Sequence, residues 1–300
     1  MGCAIYGAPP PGLASAPADA RQLSPFTPGA DLLEELADGA LDGIVVAAPA
    51  GALERRYVLA QALRTLKPGG ELVALAPRNR GGGRLRKELE SMGVTVRETA
   101  RRHHRVCLCR RPSGPLALAA PLADGGPQRP AALGLWSQPG LFSWDRIDPG
   151  SGLLSQHVHD LAGDGADLGC GVGVLSLAVL TSPEVASLAL VDLDRRAIEA
   201  ARRNVADARV HFIQADVTAA PPPGNLDFVV MNPPFHLGGD EDRRLGQAFI
   251  AAAARALKPG GVCRMVANVG LPYEQTLRAR FATVRPIGQD PRYKVFEAWR

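Results

Sequence analysis

The sequence predicts an α/β protein built from two tandem copies of one parallel-sheet unit, the first of them degenerate. Three observations predict it. In the C-terminal half, apolar strand-like runs alternate with helical stretches, Arg195 to Val205 and Arg243 to Leu257, which is the pattern of strands joined by crossover helices. A glycine-rich turn, Gly169-Cys170-Gly171-Val172-Gly173, follows one such run and opens the apolar stretch Val174 to Leu180. Four segments then recur in the same order in both halves of the 300-residue chain.

The first predicted strand of the C-terminal copy ends in Asp167 and leads into that turn. Glycines at alternate positions let the backbone approach a ligand closely, and the helix beyond supplies free N–H groups. The G-x-G-x-G spacing differs from the G-x-G-x-x-G of dinucleotide binders, so a phosphate is not the expected ligand. A second strand, Leu188 to Asp192, ends in an acid nineteen residues after Gly173, where ribose hydroxyls are commonly received. A third, Val210 to Asp216, ends in another acid. Each acid taken singly reads as a solvated strand end; the ordered series is the stronger signal.

The fourth strand, Leu226 to Met231, runs into Asn232-Pro233-Pro234-Phe235. Consecutive prolines can neither extend a central strand nor open a regular helix, so the turn is extended and fixed. Lacking N–H groups, it offers an excess of carbonyls. With the Asn232 amide and the Phe235 ring it suits a planar group bearing an amine, the ring stacking and the carbonyls accepting from the NH2. Taken alone, such a turn would be no more than a strand end.

Composition bounds the function. Apolar residues at 46% and charged residues at 21% describe a soluble globular chain. No apolar run approaches the ~20 residues that span a bilayer, and prolines and glycines interrupt the N-terminus where a signal peptide needs a continuous apolar stretch. Five cysteines without framework spacing are expected to be buried and reduced, as in a cytoplasmic protein. Cys107 and Cys109 are expected on opposite strand faces, and no metal site is predicted.

The repeat pairs Leu41–Val46 with Leu226–Met231, Leu66-Lys67-Pro68-Gly69-Gly70 with Leu257-Lys258-Pro259-Gly260-Gly261, Thr95–Arg97 with Thr283–Arg285, and Arg105–Cys107 with Lys294–Phe296. The offsets of 185, 191, 188 and 189 require only small insertions. Where the second copy has N-P-P-F, the first has Ala47-Ala48-Pro49-Ala50, and a Pro-rich lead replaces the glycine turn. The first copy, residues 1–111, therefore reads as a truncated scaffold or RNA-binding domain. Residues 112–131, rich in Pro and Gly, read as an extended linker, and residues 132–300 as the catalytic domain. Residues 76–111 carry 11 basic and 3 acidic side chains. Arg78, Arg80, Arg84, Arg86, Arg101, Arg102 and Arg105 within that stretch are candidate RNA contacts, because such dense like charge calls for an anion; a solvated face is the competing reading.

The ordered set of Asp167, the glycine turn, Asp192, Asp216 and N-P-P-F resembles the class I S-adenosylmethionine-dependent methyltransferases that modify amino nitrogens. Phe142-Ser143, Ile147-Asp148-Pro149-Gly150-Ser151, His236, Val266–Tyr273 and Arg292–Phe296 extend the likeness. Together they are similar to the bacterial ribosomal RNA guanine-N2 methyltransferases of the RsmC type, which act on the small subunit, and to their large-subunit relatives; Trp144 and Arg146 depart from that pattern. The resemblance implies a Rossmann-like class I methyltransferase sheet with a closing antiparallel strand, Tyr293 to Trp299, at its edge. It implies S-adenosyl-L-methionine as cofactor, with Asp167, Gly169, Cys170, Gly171 and Gly173 at its methionine portion, Asp192 at the ribose, Asp216 at the adenine, and Asn232 to Phe235 facing the methyl. It also implies ribosomal RNA or the small ribosomal subunit as partner of a monomeric, membrane-free enzyme. The same N-P-P-F core serves adenine-N6 and glutamine-amide methyltransferases, and a non-catalytic RNA-binding protein that retains the cofactor is a further alternative.

Overall fold

A computed structural model of the chain describes residues 2–219, 224–234, 236–237, 240–241 and 243–300. Phe235 lies outside the described residues. The chain forms two compact units, residues 1–127 with 138–140 and residues 128–137 with 141–300.

The second unit contains α4 (Pro149–Ser155), β7 (Gly163–Leu168), α5 (Val174–Val179), β8 (Val185–Asp192), α6 (Arg195–Asn204), β9 (Val210–Gln214), β10 (Leu226–Met231), the short pair β11 (His236–Leu237) and β12 (Asp240–Glu241), α7 (Arg243–Ala256), β13 (Leu257–Asn268), α8 (Tyr273–Arg278), β14 (Thr283–Gln289) and β15 (Tyr293–Trp299). Its seven-stranded sheet has the order β14-β15-β13-β10-β7-β8-β9. The five strands from β13 to β9 are parallel; β15 pairs antiparallel with both β13 and β14, so β14 runs in the direction of the five. The closing strand β15 is therefore antiparallel, as expected, but is not the edge: β14 pairs on its outer side. Burial on both faces explains why Phe228, Val229, Val230 and Met231 are all apolar and at most 1% exposed. Gly165 is required by close approach, since a Cβ there would collide with the Phe228 ring.

The first unit contains β1 (Cys3–Tyr6), β2 (Arg21–Gln22), β3 (Leu41–Ala47), α1 (Ala52–Thr65), β4 (Leu66–Pro77), a kinked π-turn at Arg78–Gly82, α2 (Gly83–Ser91), β5 (Val96–Arg101), β6 (His104–Arg110) and α3 (Ala119–Gly125). Its six strands run β2-β1-β3-β4-β6-β5, with no counterpart of β9 among the described residues. The repeat extends to the register. Leu41 pairs with Leu66 and Gly43 with Glu71 across one irregularity; Leu226 pairs with Leu257 and Phe228 with Val262 across the same irregularity. Even the ion pair that pins the Lys-Pro-Gly-Gly turn recurs, Lys67 with Asp42 in one unit and Lys258 with Asp227 in the other.

The segment 112–127 belongs to the first unit and is not the extended linker expected from its composition. Leu116, Leu118 and Leu122 pack on the first unit's core, and Gly125 lies so close to Tyr57 of α1 that a Cβ there would strike its side chain. Cys107 and Cys109, two residues apart on β6, share a strand face and one buried cluster, against expectation. Burial pushes both thiols up to about 12. Four of the five free cysteines are buried, while Cys3 is partly exposed. Among the described residues no helix is long and apolar enough to cross a membrane.

Candidate active site

The sheet order of the second unit reverses at β7. From β7 the chain winds outward through β8 and β9, then returns to β10 on β7's other side. Ligands of open α/β sheets bind beyond the carboxyl ends of the strands at such a reversal. Val230 of β10 pairs with Asp167 of β7, so the turn at Asn232 leaves the sheet beside the turn at Gly169.

Gly169, Gly171 and Gly173 have φ of 74°, 53° and 91°, a left-handed backbone that other residues adopt only with strain. Gly171 faces open space; its requirement is conformational. Gly169 and Cys170 donate their amides to Val191 O at 2.8 and 3.1 Å, and Gly171 N donates to Asp192 Oδ2 at 2.9 Å. The turn is thus stapled to the end of β8. Cys170 is buried and its thiol pushed well above its ordinary value by burial; it packs in the core beneath the turn.

The three predicted acids do line up on adjacent strands, in different states. Asp167 is 0% exposed. It accepts from Ser176 Oγ at 2.6 Å through Oδ2, while Oδ1 has no partner among the described residues. Burial pushes its carboxyl up to about 7. Asp192 accepts from Gly171 N and from Asp194 N, the latter at 2.9 Å, and burial holds it at about 6. Asp216 lies two residues beyond β9 and accepts from Thr218 N at 2.8 Å and Thr218 Oγ1 at 2.7 Å.

Asn232 is oriented from a distant part of the chain. Its Nδ2 donates to Asp148 Oδ2 at 2.9 Å and to Ser151 Oγ at 2.8 Å. Asp148 caps α4, accepting from Ser151 N at 2.8 Å, with Pro149 at the first helical position. An ionised carboxylate only accepts, so it selects the amide nitrogen and turns Oδ1 the other way. Asp148 and Ser151 stood in the sequence as part of a likeness, without a role; the i-to-j separations of 84 and 81 residues hide the pairing. Asp148→Asn removes the selection, because an amide can face either end of Asn232. Turnover is expected to fall by about 10- to 100-fold, as for lost supporting contacts elsewhere, with cofactor affinity retained; steady-state kinetics beside calorimetric titration checks this. Pro233 is buried and Pro234 exposed.

A small cleft lies over these groups, lined by Leu133, Phe142, Ser143, Arg146, Asp148, Ser151, residues 169–172, Val174, Leu175 and Asn232. Asp167, Asp192 and Asp216 lie outside this lining.

In the first unit the counterpart of this place is filled. The turn after β3 receives the buried guanidinium of Arg55, whose Nη1 donates to Pro49 O at 3.2 Å and Ala50 O at 2.6 Å. Glu88 holds the other edge at 2.8 and 2.7 Å. The candidate RNA-contacting arginines do not form one patch. Arg84 and Arg86 are exposed on α2, with Arg86 paired to Glu90, and Arg105 is paired to Glu98 on that same side of the sheet. Arg101, exposed on the edge strand β5, points to the other side. Arg78, exposed, and the left-handed Arg102 meet at one corner, where Arg78 N donates to His103 O at 2.9 Å. Arg80, half-exposed, lies in the neighbouring π-turn.

A parallel sheet with this order, a left-handed glycine turn stapled to the next strand's acid, and an oriented Asn-Pro-Pro turn define a class I S-adenosylmethionine-dependent methyltransferase. The Methyltransferase small domain family model matches residues 132–297. The ribosomal RNA small subunit methyltransferase C of Pseudomonas paraeruginosa is 34% identical over 276 residues, covering 87% of this chain and 80% of that protein. That of Shewanella loihica is 31% identical, over 85% of this chain and 76% of its own. The solved T. thermophilus 16S rRNA N2 G1207 methyltransferase (RsmC), in complex with AdoMet and guanosine, matches with a TM-score of 0.79 at 27% identity, covering 100% of this chain and 88% of that one. The chain belongs to the ribosomal RNA small subunit methyltransferase C family.

The residues present fit the cofactor. The buried Oδ1 of Asp167, at the end of the strand that leads into the glycine turn, has no partner among the described residues and suits a donor, and Asp192 has acceptor capacity for hydroxyls.

Proposed function

We propose that the protein transfers a methyl group from S-adenosylmethionine to the exocyclic N2 amine of a guanosine in ribosomal RNA of the small subunit, acting as a monomer in the cytoplasm. The observation that carries this reading is the fixed Asn232 amide, its nitrogen held by Asp148 and Ser151 and its carbonyl left for an amine. Relatives that span most of the chain are small-subunit rRNA methyltransferases, which favours guanine in RNA over adenine or a glutamine amide.

Bound S-adenosylmethionine supplies an electrophilic methyl on a positively charged sulfur, so displacement needs no covalent enzyme intermediate. The chain's task is alignment, a contribution of up to ~7–11 kcal/mol in favourable intramolecular cases. A guanine amine is a weak nucleophile because its lone pair is delocalised into the ring. Accepting its N–H bonds at Asn232 Oδ1 and the Pro233 carbonyl raises electron density on nitrogen and turns the lone pair outward. Proline at 233 and 234 keeps the turn rigid without adding competing donors. No strong base is required, and the proton leaves to water after transfer. The target guanine must be unstacked to enter the cleft. A target oligonucleotide carrying inosine at the modified position, which lacks only the N2 amine, is expected to accept no methyl. Undiminished transfer to it would place the acceptor elsewhere on the base or on another residue.

The exposed arginines of the first unit are read as RNA contacts, on the support of their charge density. Replacing Arg84 and Arg101 together is expected to lower the slope of log affinity against log salt by about two, one per lost phosphate contact. Filter binding to the target RNA across a salt series measures it.

A further inference from the structure

One carboxylate, Asp148, is among the cleft's lining residues and is engaged with Asn232. One basic side chain, Arg146, is among its lining residues. The turn that carries Arg146 is built and anchored. Ser143 is held at φ 47°, a left-handed conformation that costs a non-glycine residue and that concentrates where ligands are clamped. Ser143 Oγ donates to Arg146 O at 2.8 Å, and Arg146 N donates back to Ser143 O at 3.3 Å. Between them, Trp144 packs on a cluster that includes Val172 of the glycine turn. The position of Arg146 relative to the glycine turn is therefore fixed through one packed cluster.

The guanidinium meets Asp145 through Nε and Nη2 at 2.9 and 3.0 Å, which leaves Nη1 with no partner among the described residues. That pair is exposed, with side chains 69% and 37% accessible, so it contributes little and exchanges readily.

S-adenosylmethionine bears two cations and one anion. Its carboxylate calls for a cation, and Arg146 is the cationic side chain that the cleft lining offers. We infer that Arg146 binds the carboxylate of the cofactor's methionine portion, as a specificity-determining residue for intact S-adenosylmethionine. A planar fork suits a carboxylate better than a point charge does. The inference rests on the cofactor placement proposed above.

The test is calorimetric titration of the full chain with S-adenosylmethionine and with decarboxylated S-adenosylmethionine. Arg146→Ala, an exposed substitution, is expected to weaken binding of the intact cofactor about tenfold and that of the decarboxylated analogue less than about twofold, as for loss of one charge-assisted pair at a partly open site. Arg146→Lys should recover part of the loss. An equal fall for both ligands, or none for either, overturns the inference. So does a raised KM for RNA with unchanged cofactor affinity, which would assign the guanidinium to a phosphate of the acceptor. Failure of the cofactor placement has a different signature: Asp192→Ala would leave the binding of both ligands intact.

Discussion

Asn232→Ala is expected to lower kcat by about three orders of magnitude while S-adenosylmethionine affinity stays within about threefold of wild type, the scale seen when one preorganised polar group at the reacting centre is removed. The substitution deletes the carbonyl that would accept from the amine, and neither Pro233 nor Pro234 carries a side-chain acceptor to take its place. Cofactor affinity should survive because the glycine turn is stapled to β8 by Gly169, Cys170 and Gly171 amides, none of which involves Asn232. The deletion also leaves Asp148 without one donor, but Asp148 keeps the Ser151 amide and its cap of α4. Asn232→Asp should be as inactive as alanine, since two carboxylates would then face each other across the Asp148 contact. Single-turnover kinetics beside calorimetry separates the two parameters.

The second large effect concerns Asp192. Asp192→Ala is expected to weaken S-adenosylmethionine binding about a hundredfold, from the loss of two hydroxyl bonds to a charged acceptor, each worth roughly 1.5–3 kcal/mol before discounting. The same carboxylate makes binding pH-dependent. Burial holds Asp192 at about 6 and Asp167 at about 7 in the free protein, so lowering the pH protonates the two acids that the proposed placement of the cofactor needs ionised. Affinity should fall about tenfold or more between roughly pH 7.5 and 5.5, and somewhat less in Asp192→Asn, where Asp167 alone still titrates.

Stability carries the opposite sign. Both folded-state values lie above the unfolded value near 3.8, so the native state binds more protons than the unfolded chain between those limits. The contribution of these two groups to stability is full near pH 4, declines as pH rises through 6 and 7, and is flat above. Saturating S-adenosylmethionine should therefore raise Tm more at pH 7.5 than at pH 5.5. A cofactor-induced shift that is independent of pH would remove both acids from the site.

Much of this was legible in the sequence because the signals are local. Leu226–Met231 is an unbroken apolar run closed by two prolines, and the strand has those same bounds. Arg195–Asn204 and Arg243–Ala256 show helical spacing and end within a residue of where the pattern breaks. The repeated segments carried the correspondence between the two sheets, while the Asp42–Lys67 and Asp227–Lys258 pairs within them emerged only from the structure. What was hidden depends on distance or packing. No local pattern joins Asp148 to Asn232. Arg55 reads as one of two adjacent helical arginines, and only the fold carries it under the Pro49–Ala50 turn. The helix at Ala119–Gly125 was masked by Pro and Gly, whose presence outweighs, in a linear reading, the leucines that bury against α1. The arginines between 78 and 111 are close in sequence, yet strand alternation and the position of α2 divide them between two sides of a sheet.

The most direct test of the account is the identity of the methylated nucleoside. Unmodified small-subunit rRNA and 30S particles are incubated with methyl-labelled S-adenosylmethionine and the wild-type protein or Asn232→Ala, then digested to nucleosides and separated. The account predicts label in N2-methylguanosine with wild type and none with the variant. Label in N6-methyladenosine, in protein, or in N2-methylguanosine at equal yield from the variant would contradict it.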